Sequence, residues 1–367
     1  MSDPAILPWQ YDIWEHLVAR YRTGRLPHAL LFSGPRGVGK TTLARCFAHT
    51  LLCEKPTDSG LACTTCPACR RLLAGSHPDF LWVQPEAKTR AEGKIASREE
   101  RDGGNNSATT EIATTSSGSN KNEKGEKGGR IIRIDQIRAL GEWFALKPHY
   151  GERKVALIVP AEQMNINAAN SLLKTLEEPP NGALLMLVAT HPVQLPATIR
   201  SRCQTLTFPP VATESALPWL INRGTGDREV AALLLALAEG GPLTALTLAQ
   251  NGTLEYRLTL FEELEGVVTG RLAPVTVAQS WMAREVEQII DFQWSWTADM
   301  IRLSLASQVG LANPDLAPRL MVLARQLGVR RLYALLDHLG EALRLVRGPT
   351  NPNLQLLLED LLIPWRA

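Results

Sequence analysis

The sequence predicts an α/β domain with a parallel sheet, followed by an all-helical second half. In the first 210 residues, short apolar runs alternate with segments of helical spacing, and strands that alternate with helices form parallel sheets. After FPP at 208–210 the strand pattern ends, and leucine-rich helical patterns run onward. A chain of 367 residues is too long to fold around one hydrophobic core, and none of its apolar runs reaches twenty residues. We therefore expect two or three domains and no membrane span.

Four strands and their helices account for the α/β part. Strands are predicted before the glycine loop at 34–41 and at 79–85, 154–160 and 183–190. Helices are predicted at 9–22, after the glycine loop, at 134–146 with Asp135 near its start, at 166–180, at 228–241 and at 353–362.

The net charge and the composition of the N-terminal residues bear on the partners and the location of the protein. The net charge of +2 comes from 39 basic and 37 acidic residues, so any contact with DNA is expected to be local. The first 29 residues lack the basic start and apolar core of a signal peptide. We expect a cytoplasmic protein.

The segment at 87–130 differs in composition from the rest. It is rich in Gly, Ser, Thr, Asn and both charges, and Ile95 and Ile112 are its only large apolar residues. Such a segment cannot bury enough surface to fold. We predict a disordered surface insertion; the alternative is a tethered interaction arm.

GPRGVGKT at 34–41 matches the phosphate-binding pattern G-x-x-x-x-G-K-[ST] between a predicted strand and a predicted helix. Glycines let backbone N–H groups surround phosphate, the lysine reaches the β and γ phosphates, and the threonine can hold Mg²⁺. The alternative is a glycine-rich turn without a ligand. The predicted nucleotide-binding residues of this loop are Gly34, Gly37, Gly39, Lys40, Thr41 and Thr42.

Hydrolysis also requires carboxylates at the end of a neighbouring strand. In ALIVPAEQ the strand-end positions are Val159 and Pro160, and neither side chain can bind Mg²⁺ or accept a proton. We predict that the chain binds nucleotide and turns it over poorly or not at all. The alternative is that Glu162 supplies the missing carboxylate.

Four of the six cysteines, Cys53, Cys63, Cys66 and Cys69, have the spacing C-x9-C-x2-C-x2-C. Two close Cys-x2-Cys steps can direct thiolates at one tetrahedral ion, and four ligands leave no open position. We predict a structural Zn²⁺ site; the alternatives are a redox role and chance clustering.

TIRSRCQ at 198–204 follows the fourth predicted strand and contains Arg202. From its chemistry alone, this side chain is either an ordinary surface arginine or a finger offered to phosphate in another subunit.

Several stretches together resemble the clamp-loader subunits of bacterial DNA polymerase III, which belong to the AAA+ class. They are LPHALLFSGPRGVGKTT, the four-cysteine loop, HPDF, LLKTLEEPP, VATHPVQLPATIRSRC and NPNLQLLLEDLL. The resemblance covers nearly the whole chain except 87–130. It implies an AAA+ P-loop domain over 1–208 with a zinc module at 53–69, a helical lid over 209–253, and a collar over 254–367 that joins five subunits into a ring.

The resemblance also implies partners and site residues. The ring would contain gamma or tau and delta subunits, open the sliding clamp and place it on primed DNA. Arg202 would be the finger for a neighbouring ATP site, Thr190 would occupy the sensor position, and the four cysteines would form the zinc module.

Two departures favour a noncatalytic subunit. Gamma and tau end the corresponding strand in Asp-Glu where this chain has Val159 and Pro160, and Thr244 stands where the ATPases carry a phosphate-sensing arginine. ATP or ADP with Mg²⁺ is the ligand that the loop would hold. The alternatives are an active gamma/tau-type ATPase and, more distantly, a zinc-containing DNA-binding module.

Overall fold

A five-stranded parallel sheet forms the centre of the first part of the chain. The computed structural model describes residues 6–85, 131–305, 310–348 and 352–366, and the predicted insertion at 87–130 lies outside them. The strand order is β2-β3-β4-β1-β5, and every neighbouring pair is parallel. The strands are β1 Ala29–Ser33, β2 Phe80–Val83, β3 Lys154–Ile158, β4 Ala183–Ala189 and β5 Gln204–Thr207.

Helices connect these strands and then continue alone to the end of the chain. The first nine are α1 Tyr11–Arg22, α2 Lys40–Leu52, α3 Pro67–Leu73, α4 Ile134–Ala145, α5 Ile166–Glu177, α6 Ala197–Arg200, α7 Thr213–Ile221, α8 Arg228–Leu237 and α9 Pro242–Gln250. The rest are α10 Thr253–Val268, α11 Pro274–Trp281, α12 Val286–Ser304, α13 Ala317–Leu327, α14 Val329–Arg347 and α15 Leu354–Leu362. Short 3₁₀ turns occupy Pro8–Gln10, Ala161–Gln163, Pro192–Gln194, Pro314–Leu316 and Ile363–Trp365. The predicted fold class, an α/β P-loop domain with a parallel sheet followed by helices, is confirmed.

The sheet is covered on both faces, which explains the nearly continuous apolar runs of its central strands. Along β1, Leu30 and Phe32 pack with α1 and α2, whereas Ala29 and Leu31 pack with α4 and α5. All five residues of β1 and of β3 are buried. Each central strand therefore contributes to two cores.

The fifth strand is absent from the sequence prediction. β5 pairs only with β1, and its four residues QTLT alternate between half-buried and exposed. Two of its four residues are exposed to solvent and polar, so β5 lacks the apolar run by which the other four strands were recognised.

Helices α7 to α9 pack on the sheet side that carries α1 and α2. Leu217 in α7, Leu234 in α8 and Ala245 in α9 belong to the same apolar core as Phe32 of β1. Helices α10 to α15 build a separate core around three fully buried tryptophans, Trp281, Trp296 and Trp365.

Among the described residues, no single helix is both long and apolar enough to span a membrane. Helices α8 and α9 meet the length and composition criteria only as a pair, and that pair is bent by 110°.

Candidate functional site

The glycine loop connects the carboxyl end of β1 to the first residue of α2. Gly37 and Gly39 have φ of 77° and 89°, in the left-handed region that favours glycine. A Cβ on Gly34 would lie 2.4 Å from the carbonyl oxygen of Phe208. The residue types in the motif therefore match the backbone that the loop adopts.

Gln10 supports the loop from the N-terminal segment. Its side chain is fully buried, and its Nε2 donates to the carbonyl oxygens of Val38 and Gly39 at 3.0 and 2.9 Å. Sequence reasoning missed this residue, since nothing in the motif indicates which distant segment packs beside it.

Lys40 begins α2 and lies in the concave side of the loop. Its Nζ donates to the carbonyl oxygens of Gly34 and Pro35 at 2.6 and 2.5 Å. The residue is 5% exposed, and burial lowers its pKa to about 8, against a smaller raising effect of Glu162. Thr41 and Thr42 follow in the first turn of α2 and are half-buried. The loop carbonyls thus hold the Lys40 ammonium inside the loop, in the place where the motif would bind phosphate.

Helix α9 closes directly on the loop. The Leu243 N–H donates to the Gly37 carbonyl oxygen at 3.0 Å, and a Cβ on Gly37 would lie 2.4 Å from the Thr244 Oγ1. Thr244, which the resemblance equated with the phosphate-sensing position, therefore contacts the loop itself.

The end of β3 carries no carboxylate. The strand ends at Ile158, although the Val159 N–H still donates to the Val83 carbonyl oxygen at 3.0 Å. Pro160 then begins the turn that contains Glu162. The sequence predicted Val159 and Pro160 as the last two residues of this strand, and they lie immediately beyond it instead.

Glu162 turns toward the end of β4. Its Oε1 accepts the N–H groups of Thr190 at 2.8 Å and His191 at 3.3 Å. Its Oε2 is buried and has no hydrogen-bond partner in the described part of the chain. Because the order of the sheet is β3-β4-β1, this carboxylate stands at the same carboxyl edge as the glycine loop.

Arg202 lies at the amino edge of the sheet, where the parallel strands begin, opposite the carboxyl edge that carries the glycine loop. It precedes β5, whose first residue Gln204 pairs with Leu30 near the start of β1, whereas the glycine loop follows the end of β1. Its guanidinium forms an ion pair with Glu177 at 2.8 Å and donates to the Thr198 carbonyl oxygen at 3.1 Å. Arg202 is therefore not positioned to serve the loop of its own chain.

The four cysteines form one cluster at the far end of α2. All four sulfur atoms lie within 4.8 Å of one another, with Cys53 to Cys66 at 4.0 Å and Cys63 to Cys69 at 3.9 Å. Thiolates about 2.3 Å from one tetrahedral Zn²⁺ would be about 3.8 Å apart. These distances exceed a disulfide bond of about 2.05 Å, and all four thiols are free. The group could hold a metal ion.

Backbone donors surround these sulfurs. The N–H groups of Cys63 and Cys66 donate to Cys53 and Cys63 respectively, both at 3.3 Å. The N–H groups of Cys66 and Thr65 lower the pKa of Cys63 to about 6, while burial raises the pKa of Cys53 and of Cys69. Donors of this kind favour thiolate, the form that binds metal.

The predicted residues thus fall into three places. The loop residues and Thr190 share the carboxyl edge of the sheet, and Arg202 lies at the amino edge. The cysteines lie at the other end of α2 from Lys40, and this helix of 13 residues has a length on the order of 20 Å. The loop, its buried lysine and the parallel sheet define a P-loop α/β fold.

Comparison with known families makes this more specific. The model described as "DNA polymerase III, delta subunit" matches residues 9–212, and the model described as "DNA polymerase III, delta subunit, C terminal" matches residues 251–367. The DNA polymerase III subunit delta' of Pseudomonas aeruginosa is 34% identical over 99% of this chain and 98% of its own length. The chain belongs to the delta-prime family of bacterial DNA polymerase III subunits.

More distant relatives are also named as subunits of DNA polymerase III or as related to one. The DNA polymerase III subunit delta' of Escherichia coli is 28% identical over 97% of this chain and 94% of its own length. The subunit tau of Bacillus subtilis is 29% identical over 65% of this chain and 33% of its own length. A solved gamma subunit-related protein from Thermotoga maritima is 16% identical, with a TM-score of 0.43 over 96% of this chain and 98% of that one.

Proposed function

We propose that this chain is a noncatalytic subunit of the DNA polymerase III clamp loader, the assembly that loads a sliding clamp onto primed DNA. The observation that carries the proposal is the pairing of an intact phosphate loop with a strand end that has Val159 and Pro160 in place of acids. Binding needs the loop, whereas turnover also needs carboxylates that hold Mg²⁺ and orient water. A cytoplasmic location follows from this role.

The ligand of the loop is ATP or ADP with Mg²⁺. The backbone of Gly34, Gly37 and Gly39 would surround the phosphates, Lys40 would exchange its two carbonyl partners for phosphate oxygens, and Thr41 would face the metal. Thr42 and Thr190 complete the proposed site. A ligand that binds only the folded chain stabilises it without being consumed, which gives the nucleotide a structural role.

Arg202 is the proposed finger for a neighbouring subunit. Its position at the amino edge, away from its own loop, supports action on a different chain. A guanidinium fork matches phosphate oxygens and can stabilise charge in phosphoryl transfer.

The proposed partners are gamma or tau and delta subunits in a five-subunit ring, with the sliding clamp and primed DNA contacted through the complex. The proposed domains are residues 1–208, 209–253 and 254–367. The separate core of α10 to α15 supports a self-contained collar, and the relatives named delta' and tau support this set of partners.

The cysteine cluster is proposed to bind structural Zn²⁺. Cys53, Cys63, Cys66 and Cys69 fit a tetrahedral ion by donor type, number and mutual distance. The ion would fix the irregular loop between α2 and α3.

Equilibrium ATP binding and phosphate release by the purified chain test the central point. We expect binding that Lys40→Ala abolishes and that the exposed-site control Lys55→Ala preserves, with negligible phosphate release in all three proteins. Brisk release that depends on Lys40 would overturn the proposal in favour of a gamma/tau-type ATPase. Failure of the chain to associate with gamma or tau and delta would overturn the assembly claim.

A further inference from the structure

The two oxygens of the Glu162 carboxylate lie in different environments. Oε1 accepts two backbone N–H groups, a close one from Thr190 at 2.8 Å and a longer one from His191 at 3.3 Å. Oε2 is buried without a hydrogen-bond partner among the described residues. Burying a carboxylate oxygen without a hydrogen-bond donor costs free energy. The position of the Glu162 carboxylate is therefore sensitive to the charges near it.

Lys40 is the cation whose field reaches this carboxylate. Glu162 acts electrostatically on Lys40, yet no carboxylate in the described ranges lies within ion-pair distance of the Lys40 ammonium, which donates to loop carbonyls. The Lys40 ammonium therefore attracts the Glu162 carboxylate without forming an ion pair with it. Any anion that binds the loop changes the charge that Glu162 faces.

The segment that Glu162 holds leads directly to the finger. Thr190 follows β4 at the carboxyl edge, and the chain then crosses to Arg202 at the amino edge in twelve residues. Leu195 and Ile199 fasten this crossing to the core, with exposures of 3% and 0%. The connection between the two edges of the sheet is therefore short and packed.

We propose that Glu162 is a positioning residue that couples occupancy of the phosphate loop to the backbone of Thr190 and His191, at the start of the connection to Arg202. The inference rests on the proposed function in one respect, that nucleotide binds this loop. It makes the subunit responsive to its own nucleotide without hydrolysis.

The direction of the effect follows from charge. Bound phosphate would draw the Lys40 ammonium to itself and add negative charge at the same edge of the sheet as Glu162. The carboxylate is then pushed toward its remaining partners, the N–H groups of Thr190 and His191. Hydrogen bonds to an ionised acceptor are short and strong, and the 3.3 Å contact to His191 has room to shorten.

Two substitutions at this position separate charge from hydrogen bonding. Glu162→Gln keeps a carbonyl oxygen that can accept from Thr190 and His191 but removes the charge. Glu162→Ala removes both. Glu178→Gln, which neutralises an exposed acid at the end of α5, is the matched control.

Hydrogen–deuterium exchange of the full chain, resolved to single amides over residues 188–203, provides the test. ADP without added Mg²⁺ is the probe, at concentrations set by a binding titration of each variant. We expect ADP to slow exchange of His191 several-fold in the unmodified protein and in Glu178→Gln. In Glu162→Gln, slow exchange of Thr190 in the empty state persists while the ADP response is lost.

The outcomes distinguish this inference from the proposed function. ADP that binds while exchange at Thr190 and His191 stays unchanged overturns the coupling and leaves nucleotide binding intact. An equal response in Glu162→Gln also overturns it. Absence of ADP binding by a folded chain overturns the nucleotide proposal itself. Glu162→Ala provides a second check, because it should expose both amides to rapid exchange without any ligand.

Discussion

Arg202 and Glu177 form an ion pair of 2.8 Å at the edge of the sheet opposite the phosphate loop. Their side chains are 38% and 52% exposed, so water and salt screen the attraction. The arginine is held in the free subunit by a contact that it can leave at small cost. The proposed role of Arg202 in a neighbouring ATP site requires such an exchange of partners.

Replacing Glu177 tests how firmly the arginine is held. We predict that Glu177→Gln changes the free energy of unfolding by less than about 1 kcal/mol, as is typical of exposed ion pairs. Urea denaturation in low and high salt measures this, with Glu178→Gln as the matched control. A loss of several kcal/mol would mean that the pair is structural and that Arg202 is not free to change partners.

Nucleotide affinity should depend on pH through Lys40. Phosphate binding needs the ammonium form, and burial lowers the pKa of Lys40 to about 8 in the empty site. We predict an affinity that is nearly constant below pH 8 and falls by up to about tenfold per pH unit above it, until the pKa of the bound state is reached.

The same pKa predicts the opposite trend for the stability of the empty protein. Between pH 8 and 10.5, the ordinary pKa of a lysine, the unfolded chain binds more protons at this position than the folded chain. The contribution of Lys40 to the free energy of unfolding therefore rises with pH in that window. Titrations with ADP and urea at matched pH values measure both trends, and affinity that is flat to pH 10 would contradict the burial of the ammonium.

The contact between α9 and the loop predicts a large effect at Gly37. A side chain there must adopt a φ of 77° and would place its Cβ 2.4 Å from Thr244 Oγ1. Gly240 has a φ of 80° but open space around the same position. We predict that Gly37→Ala destabilises the protein by about 1–3 kcal/mol more than Gly240→Ala. Equal losses in urea denaturation would argue against packing of α9 on the loop.

Zinc binding should depend on the four clustered cysteines and not on the other cysteines of the chain. We predict one Zn²⁺ per chain and a loss of affinity of more than about a hundredfold in Cys69→Ser, above the range typical of residues that only support a ligand. Cys203→Ala, at a buried cysteine outside the cluster, should keep full stoichiometry. Elemental analysis and chelator competition measure this, and binding that survives Cys69→Ser would exclude a four-thiolate site.

Local patterns were sufficient for much of this molecule. The glycine loop was predictable because the spacing of its glycines and lysine is specific to one backbone conformation. The three central strands β3, β4 and β1 were predictable because burial on both faces requires apolar runs. The cysteine cluster was predictable from two short spacings. In each case the residues that act together are close in sequence.

Other features depend on the order of the strands, which no local pattern contains. Glu162 meets Thr190 because β3 lies beside β4, and Leu243 reaches Gly37 across more than 200 residues. The edge strand β5 lacked an apolar run, and the position of Arg202 at the amino edge follows from its pairing with β1. These relationships require the fold.

Phosphate release by the reconstituted clamp loader in a single turnover tests whether Arg202 acts on the ATP site of a neighbouring subunit. Assemblies would contain the unmodified chain, Arg202→Ala, or Arg200→Ala, which removes an exposed arginine two positions away. We predict that only Arg202→Ala slows phosphate release at one ATP site, by about 10³–10⁵-fold, so that the fast phase loses the amplitude of that site while the assembly stays intact. Identical release from all three assemblies would contradict it.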